Sequence, residues 1–429
     1  MGFSNFLLHY VLTDLPFFFR CLIISFIMFS LIYKLIMINR YEFFLLWTVY
    51  FGAIFSAVTV IIMYKKNAIS WYYYSNFFLT SSIFYFTILF FQFQLDPKYV
   101  YQKRVRISQN SSSNAKFYTY CFFFMWLVLI ILKIFFLGVR SFEKQGGGSG
   151  GIIRLLWVVS PLFQYSVIYI FFKKKANKAS FIFSLLFIFA SFFSNSKSTV
   201  LDYFFTFLIF SYLNPTCTKN INFIKKYGLI GLIVAIVAGI FMQVLLTNVS
   251  YLEGVLMLLY RFIAYGDIYT FAYPNDVAGY ISEKTSVSFL QYLSSDFLTT
   301  FRLMPRVFSD ECNIAGQLVE YVAGPGIAEG PNSRFNIVGI IFFGYSGSLF
   351  FSIFCGTIFY LLHLLFQYGV NGSYKKQLVI YFIVRTTISL EQDAALIPQF
   401  LVSFSFFIVI FIFLQILERA AISVHSGTI

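Results

Sequence analysis

The chain has 429 residues, of which 59% are hydrophobic, 22% aromatic and only 11% charged. Such an apolar load with repeated runs of about 20 residues reads as an all-α polytopic membrane protein rather than a soluble one. The net charge of +14 does not point to nucleic acid, because the basic residues sit in short loops between apolar runs; runs such as 228–246 are also too long and uniform for a β-barrel.

About eleven spans are predicted, at roughly 17–38, 41–63, 71–94, 117–138, 152–172, 179–194, 199–213, 228–247, 336–366, 376–397 and 398–416. No basic start or small-residue cleavage site precedes the first, so it is expected to act as the targeting signal. The ninth is long enough to tilt or to begin outside the membrane. Four basic loops alternate with the spans: Lys98 to Lys116, Lys173 to Lys178, Lys219 to Lys226, and Lys375 with Lys376. The positive-inside rule makes these cytoplasmic. The glycine-rich loop 146–151, the polar turn 195–198, a long loop over 248–335 and the turn near Glu391 then face outward. Lys65 and Lys66 fall on that outer face too, against the rule; either they snorkel or the first two spans are misread. Residues 1–429 form one integral membrane domain, with 248–335 as its large external loop.

That loop concentrates the charge. From 248 to 336 it carries nine of the seventeen carboxylates, together with Arg261, Arg302, Arg306 and Arg334. A guanidinium grips phosphate oxygens in a bidentate fork and tolerates partial desolvation, so this set suits a pyrophosphate at the membrane surface. Helical stretches are expected around 250–273 and 287–304. Arg302 and Arg306, four apart, would then share a helix face, with Pro305 between them as a break or restart. Arg385 falls near the middle of a span, where a charge costs about 3 kcal/mol unless it is paired or faces a cavity. It is spaced to share a face with Ser389 and Asp393, which fits an internal ion pair or a polar cavity. Lys197 stands in a polar turn between two short spans. Gly146 to Gly151, flanked by Arg140 and Arg154, lacks the Lys-Ser/Thr of a P-loop and reads as a movable flap or an inert linker. A general base would be a carboxylate near the arginines: Asp267, Asp296, Glu320 or Asp310, with Asp267 sharing a segment with Arg261. Cys21, Cys121 and Cys355 fall in spans, and Cys312 is alone in the long loop, where it cannot close an internal disulfide. The three histidines are dispersed, which argues against a zinc site or a histidine base.

Three stretches resemble the O-antigen polymerase (Wzy-type) family of bacterial membrane glycosyltransferases. They are Ser196-Lys197-Ser198, Arg261 with Gly266-Asp267, and Gly330-Pro331-Asn332-Ser333-Arg334 leading to Gly339 and Gly344-Tyr345-Ser346-Gly347. Arg140 and Gly151 also keep the Arg-x10-Gly spacing of some members. The resemblance implies a GT-C-like fold in the bacterial inner membrane, with an active site facing the periplasm and a role in lipopolysaccharide biosynthesis. It implies a metal-independent, inverting transfer that needs no cofactor. The growing glycan on undecaprenyl pyrophosphate is the donor, and a single lipid-linked repeat unit is the acceptor. Arg261, Arg302, Arg306, Arg334, Arg385, Lys197 and Arg140 would bind pyrophosphate, and Asp267, Asp296 or Glu320 would act as base. Partners would be lipid-linked glycans, membrane lipid and a chain-length regulator. An O-antigen ligase and a lipid-linked oligosaccharide flippase are the alternatives; the first would want a histidine in the external loop, and the second would spread its charges along many spans.

Overall fold

The computed structural model describes residues 13–36, 42–94, 112–137, 150–173, 199–215, 266–305, 311–324, 333–387 and 396–426, with isolated positions between them. Among the described residues every regular element is helical. Six helices among the described residues are long and apolar enough to cross a membrane, which makes this a helical, polytopic membrane protein. The expected spans near 179–194 and 228–247 lie almost wholly outside the described residues. The chain divides into two compact units. One comprises Met1–Tyr99, Val255–His363 and Thr386–Gln399; the other comprises Val100–Gly254, Leu364–Arg385 and Phe400–Ile429.

The first unit begins with α1 (Leu15–Ile36), α2 (Glu42–Lys65) and α3 (Trp71–Gln94). The α2–α3 connection is a tight C-cap. Asn67 takes the left-handed conformation at φ 56°, Ala68 N–H donates to Met63 O at 2.8 Å and Asn67 N–H to Tyr64 O at 3.0 Å, which closes the helix end. Tyr64, Trp71 and Tyr74 pack together there, with the Tyr64 and Tyr74 rings stacked at 4.3 Å. Amphipathic rings at a helix end match the headgroup level of a bilayer.

In the second unit, α4 (Ser112–Leu137), α5 (Gly150–Lys173) and α6 (Thr199–Leu213) pack with α12 (Tyr374–Thr387) and α13 (Leu396–Ser426). Its core is aromatic and polar at once. Tyr165 and Tyr381 stack at 4.5 Å, and Phe382 stacks on Phe407 at 4.4 Å. Gln377, fully buried, is the knot: its Oε1 accepts from Tyr165 at 3.0 Å and from Asn214 at 3.1 Å, and its Nε2 donates to Leu213 O and Asn214 Oδ1, each at 3.0 Å. Glu418, buried in α13, accepts from Tyr118 and pairs with Lys375 at 2.5 Å.

The remainder of the first unit comes from the long loop, whose described part is folded: α7 (Asp267–Ala272), α8 (Val277–Lys284), α9 (Phe289–Thr300) and α10 (Ile314–Ala323). Ser288 and Gln291 form a reciprocal capping box on α9, and Asn313 Oδ1 caps α10 by accepting from Gly316 N–H at 3.1 Å. The expected helix to residue 304 stops early. Leu303 N–H donates to Leu298 O and Arg302 N–H to Thr299 O, a Schellman ending with Arg302 at the left-handed position, φ 56°. Arg302 therefore lies in a turn; Arg306 is outside the described residues.

The ninth expected span is two helices. α11 (Phe335–Gly369) contains Gly344 at φ 65°, ψ −168°, a conformation essentially confined to glycine. A Cβ on Gly339 would lie 3.1 Å from Ser348 Cβ and 3.2 Å from Phe351 Cδ1. In a straight helix residues nine apart stand about 13 Å apart along the axis, so the chain doubles back at Gly344. The reversal breaks the helix ladder, and the Ile341 carbonyl instead accepts from Ser282 Oγ at 2.6 Å. Residues 335–343 run along α3. Asn336 Nδ2 donates to Thr80 Oγ1 at 2.7 Å, and the Phe84 and Phe335 rings meet at 5.2 Å. Residues 345–363 then return down α3, through Asn76 Nδ2 to Ser348 Oγ at 2.7 Å and a close approach of Gly356 to Phe84 O. The short arm thus begins about half-way along α3, in the manner of a re-entrant helix.

Candidate functional site

Two features of the first unit carry chemistry. One is a buried layer at mid-helix depth. Asp267 opens α7 at 7% exposure, and Ser333 and Arg334, at 1% and 3%, precede the short arm of α11. The Arg334 carbonyl accepts from Ile337 and Val338 N–H, each at 3.0 Å, and so opens that arm. Tyr269 OH donates to Asn336 Oδ1 at 2.9 Å. Asp267 and Arg334 each stand two residues from one end of that hydrogen bond. A guanidinium at this depth is costly, and at the start of a helix it opposes the dipole; its place is set by function or by partners, not by packing of apolar surface. Gly266 is required here: a Cβ would run into Thr59 and the Phe55 carbonyl of α2.

The other is a cleft of about 820 Å³ at the α2–α3 end of the unit. It is lined by Asn67 to Ser70, Tyr72, Tyr73, Tyr273, Asn275, Asp276, Gly279, Ser282, Glu283, Ile340 and Gly344. The volume is in the range of small-molecule sites. Its walls explain why sequence signals scattered over nearly 300 residues converge. The α2–α3 turn supplies one side. The segment Tyr273-Pro274-Asn275-Asp276 supplies another, with Asn275 and Asp276 both left-handed at φ 54° and 57°. Two successive residues of this kind store on the order of 1 kcal/mol or more each, so other contacts must hold them. Tyr73 OH does so by donating to Asp276 Oδ1, and the Tyr73 and Tyr273 rings stack at 4.6 Å and 25°. Gly279 leaves room for the Asp276 carboxylate, which a Cβ would overlap.

Tyr273 is only 1% exposed, and its hydroxyl has no hydrogen-bond partner among the described residues. Burial, and then the neighbouring Tyr269, Tyr73 and Tyr72 hydroxyls, push it well above the usual tyrosine range, so it remains a donor. Buried hydroxyls without partners are uncommon in folded proteins. Tyr72 is exposed, and its ring meets Tyr345 at 5.0 Å. Among the described residues, the cleft is lined by two carboxylates and no cation.

Of the residues expected to act, the structure brings Asp267 and Arg334 into one buried layer. Asp296 is half-buried on α9, Glu320 is exposed on α10, and Arg302 is exposed in its turn. Arg385 is half-buried near the end of α12, in the second unit. Arg261, Arg306, Lys197, Arg140, Asp310, Ser389 and Asp393 lie outside the described residues. None of Arg302, Arg334 and Arg385 lines the cleft. The sequence reading passed over Tyr73, Tyr273, Asp276 and Glu283 as site residues. Their signals were the aromatic run Trp71 to Tyr74 at a span head and the Pro274-Asn275-Asp276 punctuation followed by Gly279. Because the α2–α3 turn and residues 273–283 line one cleft, Lys65 and Lys66 do sit at the end that faces the long loop. Lys66 Nζ rests 5.3 Å from the Phe17 ring centroid.

No protein-family model, curated protein or solved structure matches this chain.

Proposed function

We propose that the chain is a membrane glycosyltransferase that joins lipid-linked oligosaccharide repeat units into a surface polysaccharide. In this reading, eleven spans adopt a GT-C-like arrangement in a bacterial inner membrane, and the transfer occurs at the periplasmic face. The donor is a glycan on undecaprenyl pyrophosphate. The observation that carries the reading is the pairing, within one unit, of a buried arginine at mid-helix depth with a recess walled by tyrosines, amides and carboxylates. A lipid pyrophosphate wants the first, and a sugar wants the second. Arg334 is the cation we favour for the leaving pyrophosphate, where it would stabilise charge that develops as the bond breaks. Asp267 would fix that arginine or act as base; Arg261, Arg306, Arg140 and Lys197 remain members of the proposed pyrophosphate set.

The test is reconstitution. Purified protein, lipid-linked single repeat units and EDTA should give a ladder of glycans on a gel, and Arg334→Ala should remove it. A wild-type chain that makes no ladder, with or without a divalent cation, ends the polymerase reading. A second reading has its own observation: the arm that starts half-way along α3 is a discontinuous helix of the kind that lines transport pathways. If the protein moved lipid-linked repeat units across liposomes without joining them, it would be a flippase.

A further inference from the structure

The polymerase reading leaves open which groups receive the acceptor. The cleft offers an uncommon combination. Asp276 Oδ1 is occupied by the Tyr73 hydroxyl, while its Oδ2 makes no hydrogen bond among the described residues. Tyr273 contributes a buried hydroxyl with no partner, Tyr72 an exposed ring, and Asn67, Ser70 and Asn275 polar groups that both donate and accept. A phosphate would face two carboxylates, Asp276 and Glu283, with no cation among the described lining residues, and would be repelled. A sugar ring meets the same walls favourably: its hydroxyls donate to carboxylates and amides, its oxygens accept from Tyr273, and its apolar face packs on an aromatic ring.

We propose that this cleft holds the terminal sugar of the acceptor glycan, with Tyr273 donating to one of its oxygens and Asp276 Oδ2 accepting the proton of the attacking hydroxyl. This rests on the polymerase reading for the reaction, not for the binding. In the step, the acceptor oxygen bonds to the anomeric carbon of the donor. The bond from that carbon to the pyrophosphate oxygen breaks, and its electron pair leaves with the lipid pyrophosphate. The hydroxyl proton passes to Asp276. Tyr73 is a positioning residue: it holds the carboxylate against Gly279 and keeps one oxygen turned to the substrate. This assigns the base outside the set of Asp267, Asp296 and Glu320.

The experiment uses the full chain in detergent, with Ser70→Cys as a reporter in the cleft wall and its labelling by a maleimide measured over that of the parent chain. Two probes are compared: the oligosaccharide released by mild acid from the host's own lipid-linked repeat units, and inorganic pyrophosphate. The oligosaccharide should slow labelling at least threefold at saturation, and pyrophosphate should not. Adding Tyr273→Phe, which keeps the ring, should raise the concentration needed for protection about tenfold. Asp276→Asn should keep protection while the glycan ladder falls at least a hundredfold. Protection by pyrophosphate alone, or by neither probe, overturns the sugar cleft. A normal ladder from Asp276→Asn overturns its role as base. The two readings fail separately: a wild-type ladder without protection spares the polymerase and sinks the cleft, whereas protection without a ladder spares the cleft and sinks the polymerase together with the role of Asp276.

Discussion

The two units use the same materials to different ends. Both bury tyrosines, amides and hydroxyls among apolar helices. At the centre of the second unit these groups satisfy one another: Gln377, Asn214 and Tyr165 share their donors and acceptors, as do Thr206 with Tyr381 at 2.8 Å and Ser166 with Tyr374 at 2.6 Å, although Ser211 Oγ in the same unit is buried without a partner among the described residues. In the first unit unpartnered groups coincide with strained backbone and a cavity. Tyr273 OH and Asn76 Oδ1 are buried without partners among the described residues, two left-handed residues sit side by side, and a cleft opens beside them. A fully satisfied polar core specifies packing, whereas unspent donors and backbone strain around a cavity mark a place built for something else. The lesson is that buried polarity in lipid is not by itself a functional signal; an unpartnered group beside strained backbone and a cavity is.

That contrast can be broken most directly at Gln377. Gln377→Leu strips partners from Tyr165, Asn214 and two backbone carbonyls, and we expect a loss of about 3 kcal/mol or more. It should appear as a lower unfolding midpoint and a lower folded yield, with activity per folded molecule retained. Equal stability in the variant would mean that the network is not structural. Next comes Gly344→Ala, which should destabilise by about 1–3 kcal/mol because its backbone conformation is closed to residues with a Cβ; protease sensitivity within 333–345 should rise with it. If the variant resists proteolysis like the parent, the reversal is not held where we describe it.

Smaller effects should separate positioning from folding in the first unit. Tyr73→Phe keeps the stacked ring but releases Asp276, so glycan synthesis should fall about tenfold while stability changes by about 1 kcal/mol. An unaltered rate would deprive Tyr73 of its positioning role. The smallest effect concerns Cys312. Its burial, with Glu311 and Asp296 nearby, raises the folded thiol from the usual 9 to about 11. The folded chain therefore binds this proton more tightly than the unfolded chain, and the resulting stability is complete below pH 9 and is lost as pH rises toward 11. The unfolding midpoint of the parent should drop more than that of Cys312→Ala between these limits; parallel curves would show that the thiol titrates normally.

Much of the fold was legible in the sequence. The predicted bounds 71–94 and 199–213 match helices α3 and α6 residue for residue, because apolar runs bounded by polar residues are plain in the sequence. What was not legible is instructive in kind. The reversal at Gly344 lies inside an unbroken apolar stretch, where hydropathy has no contrast and only a glycine marks the bend. The end of α9 at Arg302 was hidden because an arginine at a left-handed cap is atypical. Asp276 looked like turn punctuation, since its importance comes from Tyr73, about 200 residues away. Arg334 and Asp267 stood out in the sequence as an arginine at the head of a span and a carboxylate in the charged loop; that both are buried came only from the structure.

The doubling back at Gly344 also governs how the protein can be made. The arm 335–343 is about 13 Å long, less than half of a bilayer core, and it is preceded by an arginine, so an insertion machine that selects whole spans has no reason to release it into lipid alone. It must enter against protein, where Thr80 and Ser81 already await Asn336. Its partner helix α3 is synthesised some 250 residues earlier. The N-terminal helices therefore stand unfinished through most of translation, with Thr80 and Ser81 lacking the Asn336 partner they have in the folded chain, and the first unit is completed only when the C-terminal half of the chain arrives.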